Sequence, residues 1–388
     1  MNLMAYKILR IYSIPYIHVY SNFLDKQESK NLNYFELQKE FFKKKISYSD
    51  VLSRNMKKLG NQSYEIIENF DYLQKKWVQE NISSKIDNFN NNEILENQIA
   101  KIEPDIIFFQ NLPSINLKKL RKNFKFIKKI IVHCGFEIDK ELFQDIDLLF
   151  LTPHLYEKYK NNFKNLYLIN HYFDESILDN LKKKNKKEFI IYYGKTGNTK
   201  NLHYQYRFNL LKKISERFDI KIFSDEIGRN HYYKKNNKKN YKQKLFQFLN
   251  YFKNKKSKEK FLHEYFPKKC FYPIYGLDMY NVIYNSNLVL NSHTDVSAKF
   301  SANMRLFETT GVGSGLMTEH SNNIYELFDK DEIVTYKDHD DCLSKINYYK
   351  DNLDELSEIA LKGQKRTLKD HNSFVRISEI DSIIKKKL

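Results

Sequence analysis

Residues 287–328 read NLVLNSHTDVSAKFSANMRLFETTGVGSGLMTEHSNNIYELF. Residues 288–291 are a short apolar run between polar turns, which predicts a buried strand. Residues 303–310 follow with a helical pattern that carries Arg305 and, one turn later, Glu308. A Gly311-x-Gly313-x-Gly315 turn then opens a second buried strand over 315–318, and a polar turn leads into a helix over 323–328. Asn323 and Glu326 stand at capping-box spacing. Strand, helix, strand and helix in so short a stretch make βαβ units, and these build parallel sheets.

The alternation extends outward in both directions. Lys7–Tyr12, 63–67, 105–109, 129–132, Leu148–Leu151 and 166–169 predict strands in the first half, with helical patterns such as 93–102 between them. Thr152-Pro153 supplies an N-cap and then proline at the first helical position. Residues 175–188, ESILDNLKKKNKKE, are polar and lysine-rich and read as a linker. The pattern restarts with 189–193, a turn at Gly194, and a helix bearing Leu210, Leu211, Ile214 and Phe218. Strand Ile220–Phe223, a helix from Asp278 and strand 332–336 continue it, and the remainder reads as helices, one of them capped by Asp338 with Asp341. The expected architecture is α/β, two tandem Rossmann-like doubly wound domains facing a central cleft. The first spans 1–175 and the second 189–370, with a linker at 176–188 and an insertion at 229–268. Residues 371–388 form a closing helix expected to pack back on the first domain. Ligands of such sheets bind at the carboxyl ends of the strands, at the point where the strand order reverses.

Composition agrees with this. The chain has 388 residues, 41% hydrophobic and 29% charged, which excludes whole-chain disorder. The formal net charge is +18, but the lysines come in short runs spread along the chain, the pattern of solvated faces. No zinc finger or RNA-recognition signature accompanies them, so nucleic-acid binding is not expected. The three cysteines are far apart and lack any CxxC pair, which excludes a disulfide framework and indicates a reducing compartment. Lys7, Arg10 and His18 interrupt the apolar start, so no signal peptide is expected. No run reaches the ~18 apolar residues of a membrane span. The expected location is cytoplasmic, with peripheral contact on the inner face of the membrane through the basic segments, the insertion included.

The quoted stretch offers specific chemistry. Glu308 can accept hydrogen bonds from two ribose hydroxyls. The glycine turn lets a nucleotide approach the backbone closely. A helix start at Asn322/Asn323 presents N–H groups to a diphosphate, and Arg305 adds a cation. The alternative is an ordinary α/β turn with capping glycines.

Taken with Tyr275-Gly276-Leu277-Asp278-Met279-Tyr280, Leu290-Asn291-Ser292-His293 and the run Asn303 to Gly313, this stretch resembles the donor half of GT-B glycosyltransferases, specifically the CgeB-like, spore-maturation branch. The segments around Tyr48-Ser49-Asp50, Gln74-Lys75-Lys76-Trp77 and Glu103-Pro104-Asp105 resemble the same family's first half, and Gln364 to His371 its closing helices. The resemblance implies transfer of a sugar from a nucleotide-sugar donor, UDP- or GDP-linked, to a cell-surface glycan, lipid-linked saccharide or protein. Glu308 would hold the ribose, Gly311 and Gly313 the turn by the phosphates, and Arg305 with the backbone at Asn322–Asn323 the diphosphate. Asn303 and Thr318 complete that set. Gly194 and Lys195 end the first strand of the second domain, where a cation for the leaving group is common; a solvated turn lysine is the alternative for Lys195. Tyr275 and Gly276 would line the base pocket, or form a plain strand-to-helix turn. Ser301 stands where many related enzymes place a second glutamate.

The catalytic side rests on His133 and Glu137, which follow strand 129–132; a surface histidine and an exposed loop glutamate are the alternatives. His18 and Tyr20 are candidates for the acceptor pocket or for packing. Asp145 and Asp147 precede a strand, Asp338-His339-Asp340-Asp341 reads as a cap, and His293 with Asp295 is too sparse for a metal, so no cofactor and no essential metal are expected. The alternative function is a non-catalytic GT-B-like binding protein in a glycan-assembly complex.

Overall fold

A computed structural model describes residues 5–16, 18–24, 31–82, 90–184, 188–198, 202–224, 226, 260–293 and 299–388, without the side chains of residues 18, 202 and 203. Asp295, the side chain of His18 and most of the 229–268 insertion lie outside that description. The chain forms two compact units: Met1–Ile177 with Thr367–Leu388, and Leu178–Arg366. Among the described residues no helix is long and apolar enough to cross a membrane.

Unit 1 holds a parallel six-stranded sheet in the order β2-β1-β3-β4-β5-β6. Its strands are β1 Lys7–Tyr12, β2 Gln62–Ile67, β3 Ile106–Gln110, β4 Lys129–Cys134, β5 Leu148–Leu151 and β6 Leu166–Leu168. β5, LLFL, is buried at every position, as a strand covered on both faces must be. Helices such as Asn91–Ile102 close the faces, burying Ile94, Leu95, Gln98 and Ile99 on one stripe. The closing helix Ser373–Lys387 belongs to this unit. Its Asp381 accepts from Tyr6 Oη at 2.7 Å and Asn61 Nδ2 at 2.8 Å, and Ser373 Oγ accepts from Asn55 at 2.9 Å.

Unit 2 holds a second parallel six-stranded sheet, β12-β11-β10-β7-β8-β9. The strands are β7 Glu188–Tyr193, β8 Ile220–Phe223, β9 Cys270–Phe271, β10 Ser286–Asn291, β11 Gly315–Glu319 and β12 Val334–Tyr336. Numbered within the unit the order is 3-2-1-4-5-6, and it reverses between β7 and β10. The carboxyl ends of those two strands are therefore the place to look for a site.

Local details depart from the sequence pattern in three places. β9 is a two-residue strand with no readable apolar run. Glu175–Asn180 is a 3₁₀ helix rather than open chain, because Asp174 Oδ1 accepts from Ser176 N at 3.1 Å and Ser176 Oγ at 2.7 Å. The Asn323–Glu326 capping box does not form. The Asn323 side chain bonds the Ser301 backbone instead, accepting from its N–H at 2.6 Å and donating to its carbonyl at 3.0 Å.

Candidate functional site

β10 ends at Asn291, which is fully buried. Its side-chain oxygen accepts from Arg305 Nη1 at 2.8 Å and Asn303 Nδ2 at 2.9 Å, while its amide donates to Thr318 Oγ1 at 2.9 Å. Three expected site residues are thus gathered by a fourth, Asn291, to which the sequence reading gave no role of its own. β7 ends at Tyr193, whose hydroxyl donates to Glu308 Oε2 at 2.8 Å. Glu308 lies on the helix Arg305–Gly311 with only 8% of its surface exposed. Burial pushes its carboxyl above the usual range, opposed by the Tyr193 hydrogen bond and by Arg305.

Arg305 stacks on the rings of Tyr192 and Tyr193, 5.1 and 4.8 Å from their centroids. It also lies against Gly194. Gly194 has φ +124°, which favours glycine, and a Cβ there would stand 2.4 Å from Arg305 Nη2, so the guanidinium would have to shift. The following loop is anchored by its backbone. The Lys195 carbonyl accepts from Tyr192 Oη at 2.7 Å and Arg207 Nη1 at 3.0 Å, while the Lys195 side chain is exposed. Arg207 also donates to the carbonyl of His293 at 2.9 Å, tying the ends of β7 and β10 together. Arg207 has a readable signal: it sits three and four residues before Leu210 and Leu211, on the apolar stripe of its helix.

His293, next past β10, places Nε2 3.1 Å from Ser301 Oγ and 3.3 Å from Thr318 Oγ1. Burial, with Arg305 and Arg207 nearby, pushes the ring down to about 4, so it is neutral at physiological pH. Ser301, seven residues before Glu308, also bonds Ser321 Oγ at 2.5 Å.

The glycines are placed differently from the sequence reading. Gly311 and Gly313 lie at the far end of the Glu308 helix, where the chain turns into the amino end of β11. The Gly311 carbonyl accepts from Gln364 Nε2 at 3.1 Å, and a Cβ on Gly313 would stand 2.9 Å from the same amide. The missing side chain of Gly313 makes room for Gln364 of a packed helix. Asn322 and Asn323 are also committed within the protein: the Asn322 N–H donates to the Lys299 carbonyl at 3.0 Å, and the helix after them, Ile324–Leu327, has four residues. Tyr275 and Gly276 open the helix Gly276–Tyr284, with Gly276 at φ +56°.

Unit 1 places His133 at the carboxyl end of β4, its ring centroid 6.3 Å from that of His171. Tyr48 Oη contacts His171 Nδ1. Burial, then His171 and Arg10, push His133 down to about 3; burial, then Arg376 and His154, push His171 to about 4. A ring held that low is a neutral hydrogen-bonding group rather than a strong base at neutral pH. Glu137 is exposed and forms an ion pair with Lys158 at 2.5 Å. Tyr20 is a packing residue: it stacks on Phe70 at 4.3 Å and its hydroxyl donates to Asn69 at 2.7 Å. Among the described residues no cluster of three or more His, Cys, Asp or Glu side chains is arranged to hold a metal ion.

Residues 210–382 match the family model described as glycosyl transferase-like. Solved structures resemble the chain over its length. A glycosyltransferase from Rickettsia africae is 14% identical with a TM-score of 0.58, covering 100% of this chain and 99% of its own. The fold is GT-B. Sucrose-phosphate synthase from Thermosynechococcus elongatus shares it at 8% identity and TM-score 0.54, over 98% of each chain. So does the Anabaena protein HepE in complex with UDP-glucose, at 9% identity and TM-score 0.53, over 97% of this chain and 99% of its own. No curated protein matches the sequence. Within this GT-B chain, the residues gathered where the second sheet reverses are Tyr193, Gly194, Asn291, Asn303, Arg305, Glu308 and Thr318.

Proposed function

We propose that this protein is a glycosyltransferase of the CgeB-like branch that moves a sugar from a UDP- or GDP-linked donor to a cell-surface glycan, lipid-linked saccharide or protein. One observation carries the reading: a buried carboxylate, Glu308, held by Tyr193, and an arginine, Arg305, lying against the side-chain-free backbone at Gly194, are gathered where the second sheet changes direction. In this reading Glu308 takes the ribose hydroxyls, and Arg305 and Lys195 face the diphosphate. The acceptor oxygen attacks the anomeric carbon, the bond from that carbon to the diphosphate oxygen breaks, and the diphosphate leaves with the electron pair. Cationic groups near it stabilise the charge that develops. The acceptor's proton passes to a carboxylate, Glu137 in this reading, or to solvent, and no metal is invoked. The fold likeness to a protein in complex with UDP-glucose supports the donor class.

The test is release of nucleoside diphosphate from a panel of sugar nucleotides. Glu308→Ala should lower turnover about 100-fold or more, by loss of a charge-assisted contact; unchanged turnover would refute the assignment. Chelator should leave the rate unaltered. A second reading, a non-catalytic binding protein in a glycan-assembly complex, is favoured by the low basicity of His133 and the Lys158 pairing of Glu137. It predicts that sugar nucleotides raise the melting temperature without turnover. The basic runs further suggest a cytoplasmic protein touching the inner membrane face; equal binding to neutral and anionic vesicles would remove that part.

A further inference from the structure

We propose that unit 1 carries a saccharide-binding pocket on the outer edge of β2, separate from the transfer site. The cavity measures about 490 Å³, within the usual range for small-molecule pockets. It runs along β2, whose Ser63, Tyr64, Glu65 and Ile66 line it, and reaches Lys7 at the start of β1. His133, near the carboxyl end of β4, is not part of its lining.

The lining holds unsatisfied polar atoms. Gln98 is 2% exposed, and neither its amide nitrogen nor its oxygen has a hydrogen-bond partner among the described residues. The hydroxyl of Ser63, 1% exposed, is in the same condition. Buried polar groups are normally paired, so side chains left this way around a cavity are costly to the empty protein and receptive to a ligand. An amide offers a donor and an acceptor side by side. Two adjacent sugar hydroxyls, each able to donate and accept, match it. Trp77, Tyr34 and Tyr64 supply aromatic surface for the C–H face of a sugar ring.

Other occupants fit less well. Two of the three lining lysines are engaged, Lys7 with the Ile102 carbonyl at 2.9 Å and Lys101 with the Asn81 side chain; Glu65 is paired with Arg10, and Asp50 adds negative charge. A phosphate therefore meets one exposed lysine, Lys57, set against the Asp50 carboxylate. An added peptide strand needs free carbonyls along the edge of β2. Gln38 Nε2 already donates to the Glu65 carbonyl at 3.0 Å, and Gln74 Nε2 to that of Ile67 at 2.8 Å.

Trp77 is the chain's one tryptophan, so its emission reports this pocket alone. The full-length protein is titrated with neutral mono- and disaccharides, inorganic phosphate and an extended peptide. The expected result is a saturable emission change with at least one saccharide in the millimolar range. Gln98→Leu should weaken it about tenfold or more, the loss of a paired amide contact. The same variant should raise the melting temperature of the free protein, because it removes two unsatisfied atoms. Ser63→Ala, a milder change, should weaken binding by a smaller factor. Thermal stabilisation by a sugar nucleotide should be the same in all three proteins, which keeps this test apart from that of the transfer reading. No saccharide response, a response that survives Gln98→Leu, or a response to phosphate or peptide alone would overturn the proposal.

Discussion

Arg10 and Glu65 stand directly opposite each other on β1 and β2 of unit 1; Arg305 and Glu308 stand one turn apart on a single helix of unit 2. The first two bond through Nε and are almost wholly buried. The Arg10 guanidinium is used up: besides Glu65 it donates to Gln110 Oε1 at 2.9 Å and to the Ser49 carbonyl, and it lies 4.2 Å from the centre of the Tyr12 ring. Arg305 and Glu308 do not bond each other. Tyr193 takes the carboxylate and Asn291 the guanidinium. One pair therefore closes a core; the other is held apart, with the carboxylate bonded to a neutral phenol and the guanidinium to a neutral amide. The difference lies in which neighbours the topology supplies, since spacing on a helix would have allowed contact.

The largest effect should come from breaking the closed pair. Arg10→Leu leaves Glu65 buried without its cation and should destabilise unit 1 by roughly 3–5 kcal/mol, read from the denaturation midpoint. Replacing both residues by leucine should recover most of that, and failure to do so would mean that Arg10 acts mainly through Gln110 and Ser49. The open pair should behave in the opposite way. Glu308→Gln removes a buried charge whose carboxyl is already pushed up, so stability should hold within about 1 kcal/mol while donor-dependent stabilisation disappears. A large loss of stability there would make Glu308 a structural residue.

Acid separates the units further. His133 and His171 in unit 1 are pushed down to about 3 and about 4, and His293 in unit 2 to about 4. An unfolded histidine titrates near 6.5, so between about pH 6.5 and 4 the unfolded chain binds more protons and stability falls as pH falls. Each such ring contributes a slope of about 1.4 kcal/mol per pH unit. Unit 1 should lose stability more steeply, and His171→Asn should flatten its profile; parallel profiles for the two units would contradict the burial argument. The smallest effect is local. Asp338 accepts from the N–H groups of Asp340 and Asp341, both at 2.9 Å, and Asp338→Ala should cost unit 2 about 1 kcal/mol.

Much of the architecture was legible. Runs such as IIFF in β3 and LLFL in β5 are apolar at every position because helices cover both faces, and that continuity survives in a single sequence. Arg305, Glu308 and Gly194 were legible as polar or glycine residues flanking such runs. Tyr193 and Asn291 were not, because each reads as the last residue of a strand. The Gly311–Gly313 turn misled for a related reason: a glycine that admits Gln364 and one that admits a phosphate are spelled alike.

From the sequence alone follow the alternation of strand and helix, the parallel sheets and the residue types at the strand ends, all consequences of local periodicity. Only the tertiary structure decides the strand order, and with it that Arg10 meets Glu65 while Arg305 is parted from Glu308. It also decides that Gln98 and Ser63 are left without partners beside a cavity. Those outcomes depend on contacts between residues far apart in the chain, where burial sets the energy of each polar group and no local pattern records it.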